Sequence, residues 1–486
     1  MNHLEVALAA RAFRAGRALR SCNFRHRRLL PAPLAVVLWQ LGAEPFAAAS
    51  VGWGDRADNM ETSVAGEPRN RDLAFAALLS FARWFNARFE SHAADRESFT
   101  RGEYTFTRAR TAPQVLVANG ATAEFLGRLG RRLAYLPTTG SRPADDSLVR
   151  LGRHLRFLWG HCAFPGQQLL VCLTDLLNAH WVTPQSSLER QSLAALDAFI
   201  EPPAGEHGFA AAVRAERCPV GPILDGDEEE RLGPLVERFN ERRAGSTTPA
   251  VVRPLLRPIE DFYGPLVRQT WELLWRCRDR EARFPEARSV ARRWDADRDA
   301  YTRHMDWMAR GGLRRTRQTP RQAAMTLHDL EEAQRLLEAE EACDDPLRML
   351  PYLLEHKAVR GLVIAVDTEH RERAVRSMVR RPLVILRSPD PCVMPLGKEL
   401  WWSEQPAGRE YVLEDLRPAP GGGSLVTLKL MTSSGSASLP TVGKEAFFSV
   451  HKTAPGWLAK LPLEAPWTHQ ASATPATVAA IEDEVE

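Results

Sequence analysis

Residues 397–402 read Gly-Lys-Glu-Leu-Trp-Trp and residues 443–448 read Gly-Lys-Glu-Ala-Phe-Phe. A glycine followed by lysine is the core of a phosphate-gripping loop, but such a loop needs GxxxxGK[ST], so that backbone N–H groups wrap the phosphate and a hydroxyl holds magnesium. Cys392 stands where the upstream glycine belongs, and Glu399 and Glu445 follow the two lysines. A carboxylate there repels phosphate, so ATP hydrolysis by that route is excluded. The pair reads instead as two similar entries into β-strands, each presenting Lys398 or Lys444 at a turn and an adjacent aromatic pair. Neighbouring side chains on a strand face opposite ways, so one ring of each pair is expected inside and the other at the rim. Trp401 and Trp402 are thus candidate stacking surfaces for a nucleobase.

Other catalytic signatures are missing. The sequence holds no GxGxxG after a strand, no GxSxG and no HExxH. The strongest metal candidates are His161, Cys162, Cys172 and His180, spaced H-C-x9-C-x7-H. These four side chains would suit tetrahedral zinc. The apolar pattern of residues 166–181, however, puts Cys172 and His180 on one helix two turns apart, which favours structural roles and leaves the expected metal and cofactor complement at none. Glu355-His356 and Asp367, Glu369 and His370 read as solvated turn residues that could at most do acid–base work.

Arginine is the commonest chemically active residue. Residues 253–321 carry 17 arginines against 10 acids, interleaved with Trp271, Trp275, Trp294 and Trp307. Guanidinium groups grip phosphate while rings stack on bases, so Arg292, Arg293, Arg314, Arg315 and Arg317 are candidate nucleic-acid contacts. Two facts weigh against counting arginines alone. No lysine precedes Lys357, the usage a GC-rich coding sequence produces, and Trp271 and Trp275 stand at i and i+4, where they would pack a helix face.

The elements that must position these residues can be read along the chain. At 486 residues the length suits about three domains. The composition, 44% hydrophobic with a net charge of +3, is that of a globular protein and demands neither nucleic acid nor membrane. Seven cysteines without CxxC argue against a disulfide framework and for a reducing, cytoplasmic setting. Residues 1–30 form a basic arm, with seven arginines and one acid in the first 28. An export signal is a poor fit, because the charged part is too long and Glu44-Pro45 interrupt the apolar part.

Residues 31–205 read as a mixed α/β domain. LAVVLWQL, AAASVGW and APQVLVANG are its strands, Asn70 caps a helix, and the patterns ATAEFLGRLGRRL, LVRLGRHLRFLWG and GQQLLVCLTDLLNAHW are further helices. Residues 206–250 shift to Gly, Pro and acid and read as a linker. Residues 251–350 form a helical Arg/Trp-rich region, with a capping box at Thr319-Pro320-Arg321-Gln322. Residues 351–469 read as a small β-barrel or sandwich, and 470–486 as a disordered acidic tail. No stretch reaches the length of a membrane span. The fold class is α+β, multidomain.

The order of elements in 319–450, namely a long capped helix, LHDLEEAQRLLEAEE, a strand beginning GLVIAVD, then GKELWW, YVLEDL and VTLKLM, resembles the stalk and accessory β-barrel of superfamily-one helicases related to the nonsense-decay helicase. It covers about a quarter of the chain. The resemblance implies a barrel that contacts nucleic acid, and, without motor motifs, an accessory or motorless relative. Residues 31–180 similarly resemble a ribonuclease-H-like exonuclease fold, though the first strands lack the paired acids that hold two metals. The leading expectation is a non-catalytic component that binds DNA or RNA or scaffolds a complex, partnered with a helicase or nuclease and not with a membrane. Two others stand beside it: a metal-dependent nuclease or hydrolase using His161, Asp175 and His180, and a pure protein–protein scaffold in which every tryptophan is core.

Overall fold

The structure, a computed structural model, describes residues 3–42, 47–312, 318–373, 377–407, 410–431 and 439–454. The basic arm forms a helix, α1 (His3–Ala15), and a short strand, β1 (Leu19–Arg20). β2 (Leu34–Gln40), β3 (Ala48–Arg56) and β4 (Asn59–Val64) run as an antiparallel meander. α2 (Arg71–Ala94) starts at Asn70, whose side chain accepts from the N–H groups of Asp72 and Leu73. A hairpin, β5 (Arg96–Arg101) and β6 (Tyr104–Ala109), leads to β7 (Val115–Val117), α3 (Gly120–Leu133), α4 (Asp146–Cys162) and β8 (Leu170–Cys172). α5 (Leu173–His180) and β9 (Trp181–Val182) follow directly, β9 pairing with β1, and α6 (Leu193–Ile200) ends this stretch.

The sheet order is β4-β3-β2-β7-β8, with β2, β7 and β8 parallel. All seven residues of β2 are buried, as an unbroken apolar run demands of a strand covered on both faces. Ala35, Val37 and Trp39 enter one core with α5, α6 and a later helix, α10 (Arg257–Ala282); Leu34, Val36 and Leu38 enter the other with α2, α3 and α4. GQQLLVCLTDLLNAHW is therefore not one helix. Its Leu-Val-Cys triplet joins the sheet beside β7, and the helix begins at Leu173.

The segment expected to be a linker is mostly helix: α7 (Gly208–Ala215) and α8 (Gly226–Arg243), the latter capped by Asp225 and with three acids in its first turn. Acids there favour the helix N-terminus, and Leu232 and Phe239 bury its inner side. α9 (Pro249–Val252) leads into α10 (Arg257–Ala282) and α11 (Val290–Ala309). Val267 and Trp271 of α10 pack where Gly52 and Gly54 leave β3 bare; a Cβ at Gly52 would meet Val267 at 2.6 Å. The helical middle is thus part of the α/β layers.

α12 (Pro320–Asp344) begins with the expected capping box, both of its hydrogen bonds present. α13 (Pro346–Leu354) carries the chain into β10 (Ala358–Asp367). After a small hairpin, β11 (Arg371–Arg373) and β12 (Met378–Arg380), come β13 (Leu383–Ser388), β14 (Glu399–Trp402), β15 (Glu410–Pro418), β16 (Ser424–Leu430) and β17 (Glu445–Ser449). They close into a barrel in the order β10-β13-β16-β15-β14-β17. The tail from residue 470 lies outside the described residues. No helix among the described residues is long and apolar enough to cross a membrane.

The barrel is built from two matching halves. Exchanging β10 with β15, β13 with β16 and β14 with β17 reproduces every neighbour relation. The registers agree as well. Val363 pairs with Leu386 and Leu413 with Leu428, each immediately before a bulge; Gly361 pairs with Ala446 as Tyr411 pairs with Leu400. Leu383-Val384-Ile385-Leu386-Arg387 and Leu425-Val426-Thr427-Leu428-Lys429 occupy equivalent positions. The Gly-Lys-Glu stretches obey the same symmetry. Lys398 N–H bonds Pro395 O and Lys444 N–H bonds Thr441 O, with Gly397 and Gly443 at φ 82° in the third position, the type II pattern. Gly397 N–H donates to Leu413 O and Gly443 N–H to Val363 O, so each turn is fastened to the bulged strand of the other half.

A Cβ at either turn glycine meets nothing within 4 Å, so substitution costs only left-handed backbone strain. Gly397→Ala and Gly443→Ala are each expected to destabilise by roughly 1–2 kcal/mol, equally within error, as measured by denaturant unfolding. A large inequality would show that the two turns are not energetic equivalents.

Candidate nucleic-acid interface

Of the arginines that sequence spacing singles out, Arg292 and Arg293 are engaged by one carboxylate. Arg292 ion-pairs with Glu340, and Arg293, 8% exposed, lies against the same carboxylate (Nε to Oε2 3.3 Å) while donating to His26 O at 3.0 Å. Burial pushes the Glu340 carboxyl up and the two arginines oppose it. One turn on, Asp344 accepts from Ser289 N–H (2.7 Å) and Arg288 Nε (3.2 Å), and Arg288 also donates to the barrel carbonyl of Ser403 (2.9 Å). Fully buried Asp345 accepts from Asn23 N–H (2.5 Å), Asn23 Nδ2 (3.0 Å), Phe24 N–H (3.1 Å) and Leu347 N–H (2.9 Å). Arg292 and Arg293 therefore clamp α12 to α11; Arg293 is buried and presents no face to a phosphate, whereas Arg292 stays exposed beside its carboxylate partner. Arg314, Arg315 and Arg317 lie outside the described residues.

Trp271, Trp275 and Trp294 are 3%, 5% and 3% exposed and pack the two cores; of the four tryptophans in the segment only Trp307 reaches the surface in part. On the barrel, Lys398 and Lys444 are exposed. Trp402 and Phe448 point inward, at 6% and 0% exposure, so Trp402 offers no stacking face. Trp401 is half-buried, with Lys452 Nζ 5.8 Å from its ring centre.

The metal candidates are dispersed. His161 Nε2 bonds Asp297 Oδ1 at 2.7 Å, and His180 Nδ1 bonds buried Glu281 at 2.5 Å. Burial lowers the His180 pKa against the pull of Glu281, and burial pushes the Cys172 thiol up to about 12, far from the thiolate a metal needs. Among the described residues no group of three or more His, Cys, Asp or Glu could hold an ion. Asp175 sits exposed just after β8, while β2 carries no acid and Asn119, at the end of β7, caps α3 through Thr122 N–H.

A basic face that spacing did not single out lies on α3 and α4. Glycines make it. A Cβ at Gly127 would meet the Trp159 ring at 2.5 Å, at Gly130 the backbone N of Arg156 at 2.9 Å, and at Gly152 the backbone N of Ala134 at 2.3 Å. The helices thus approach almost backbone to backbone, bringing Arg131 of α3 near Arg156 of α4. Burial lowers the Arg156 pKa, and Arg131 lowers it further, so two guanidinium groups repel each other across the seam. Arg131 and Arg153 make no ion pair among the described residues, whereas Arg128 and Arg150 are neutralised by Glu124 and Glu90. Tyr135, 42% exposed, lies under Arg156 at 4.8 Å. The available signal was the repeated pattern GRLGRR and VRLGRHLR, whose glycines mark the contact side of each helix. No family model, curated protein or solved structure matches the chain.

The clamp at Asp345 can be tested directly. Burial raises its pKa, but His26 and the N–H groups of Leu347, Asn23 and Phe24 outweigh that and hold it below the usual value. Its stabilisation is complete above about pH 4 and disappears as pH falls through the lower folded value. Asp345→Ala is expected to cost roughly 3–5 kcal/mol at pH 7, and denaturant unfolding below about pH 4 should show the gap from wild type shrinking.

Proposed function

We propose that the chain is a non-catalytic nucleic-acid-binding component that engages phosphates through the α3–α4 arginine face. The observation that carries this reading is the close packing of α3 on α4 at Gly127, Gly130 and Gly152, which brings the solvent-reaching Arg131 near Arg156. Like charges held side by side raise the energy of the free protein, and an approaching phosphate backbone relieves the repulsion while releasing its own counterions. The exposed Tyr135 ring beside them suits stacking on a base.

The mixed sheet fits the ribonuclease-H-like resemblance in shape without its chemistry, since the central strand holds no carboxylate. A capped stalk and closed barrel support an accessory role next to a helicase or nuclease. All seven cysteines are free, in keeping with a reducing cytoplasmic setting.

Fluorescence anisotropy with single- and double-stranded DNA and RNA, titrated with salt, tests the proposal. The wild type should lose affinity steeply as salt rises from about 50 to 200 mM. Arg131→Glu with Arg156→Glu should weaken binding by at least about tenfold and flatten the salt slope by about one to two. Absence of binding to all four probes at low salt would refute the reading and favour a protein–protein scaffold.

A further inference from the structure

On the same helix, one turn past Arg156, the surface opens into a cavity of about 530 Å³ between α4 and α11. That volume lies in the range of small-molecule pockets. Its lining includes Phe164, Trp307, His161, Arg303 and Arg310, a set that pairs flat apolar rings with cations. Trp307 is half-buried, and its ring leaves no room for a Cβ at Gly312, 2.2 Å away, which holds the indole in place. Arg303 is exposed and makes no ion pair among the described residues; Arg310 is exposed and fixed to Asp306 O by its Nε at 3.1 Å. The one lining carboxylate, Asp306, is held by Arg96 through two bonds of 3.0 and 3.1 Å, so it does not neutralise the cavity's own arginines.

His161 adds a directed polar group. Its Nε2 is tied to Asp297, which is itself oriented by Gln168 N–H at 2.9 Å. Its Nδ1 makes no hydrogen bond among the described residues. The floor is aromatic: Phe157 stacks on buried His304 with ring centres 4.2 Å apart and planes at 4°.

We infer that this cavity binds a nucleoside monophosphate group, with the base against Trp307 and the phosphate at Arg303 and Arg310. A phosphate alone would not use the indole, and an apolar ligand would use neither guanidinium group. The same chemistry has two sources, a free mononucleotide or the 5′-phosphorylated end of a strand. The inference draws on the nucleic-acid reading only for the kind of ligand, because the cavity residues are separate from the α3–α4 arginines.

Isothermal titration with AMP, UMP, adenosine and inorganic phosphate is the test. Both mononucleotides should bind, each at least tenfold tighter than adenosine or phosphate. Arg303→Gln, at an exposed position, should weaken AMP tenfold or more while leaving adenosine unchanged, and Trp307→Leu should weaken both. The Arg131→Glu, Arg156→Glu protein should bind AMP normally, which separates failure of this inference from failure of the α3–α4 reading. A 5′-phosphorylated oligonucleotide that outcompetes its unphosphorylated twin, with the advantage lost in Arg303→Gln, assigns the site to strand ends; AMP binding without that advantage assigns it to free mononucleotides. No saturable binding of either mononucleotide, or AMP affinity untouched by Arg303→Gln, would overturn the inference.

Discussion

Three carboxylates at the end of one helix hold the two parts of this molecule together. Glu340, Asp344 and Asp345 stand within the last turns of α12 and just beyond it, and between them they receive α11, the segment after β1, and, through Arg288, the barrel. Buried carboxylates are unfavourable unless every lone pair is used. The donors here include the backbone N–H groups of Ser289, Asn23 and Phe24, which cannot swing away as a side chain can. That is why the junction fixes an orientation instead of merely tethering two bodies. The same chemistry buries Arg293 and ties the exposed Arg292 to Glu340. Part of a basic sequence segment thus serves architecture, and a separate basic patch remains on α3 and α4.

What remains is set by glycine. Gly127, Gly130 and Gly152 let α3 and α4 touch, and close contact forces their outward arginines into one patch. Larger residues would push the helices apart and dilute the charge. The patch thus depends on residues that carry no charge, and its position follows from packing against the sheet, since Phe125, Leu129, Leu151 and Leu155 bury the opposite sides of the same helices.

Much of the fold was legible where local chemistry decides structure. Asn70 and the Thr319 capping box mark helix starts because their side chains satisfy free N–H groups within three residues. The apolar run 34–38 could hardly be anything but a buried strand. The failures share a cause: the deciding partner is distant in sequence. Leu170–Cys172 is too short to announce a strand and becomes one only because β7 lies alongside. Residues 226–243 look like linker by composition, but Asp225 caps them and the core receives Phe239. Glu340 lies 48 residues from Arg292, so spacing alone could not reveal that the arginine was already paired. Likewise Arg131 and Arg156 become neighbours only after two helices pack.

The barrel shows how symmetry and its breaking distribute function. Its halves match in strand order, bulge position and turn geometry, so Trp401 and Phe447 are equivalents, both on the outer side of their strands. They do not share an environment. Phe447 packs against Ala342, Met349 and Ala358, where the stalk meets the barrel. Among the described residues Trp401 does not join that cluster, and Lys452 lies against its ring. One half of a two-fold structure has been committed to attachment, which leaves the corresponding ring of the other half partly open. The difference between the two rings is then a product of where α12 and α13 dock, and Lys452, whose carbonyl is bonded to Arg335 of α12, places its ammonium group near the Trp401 ring.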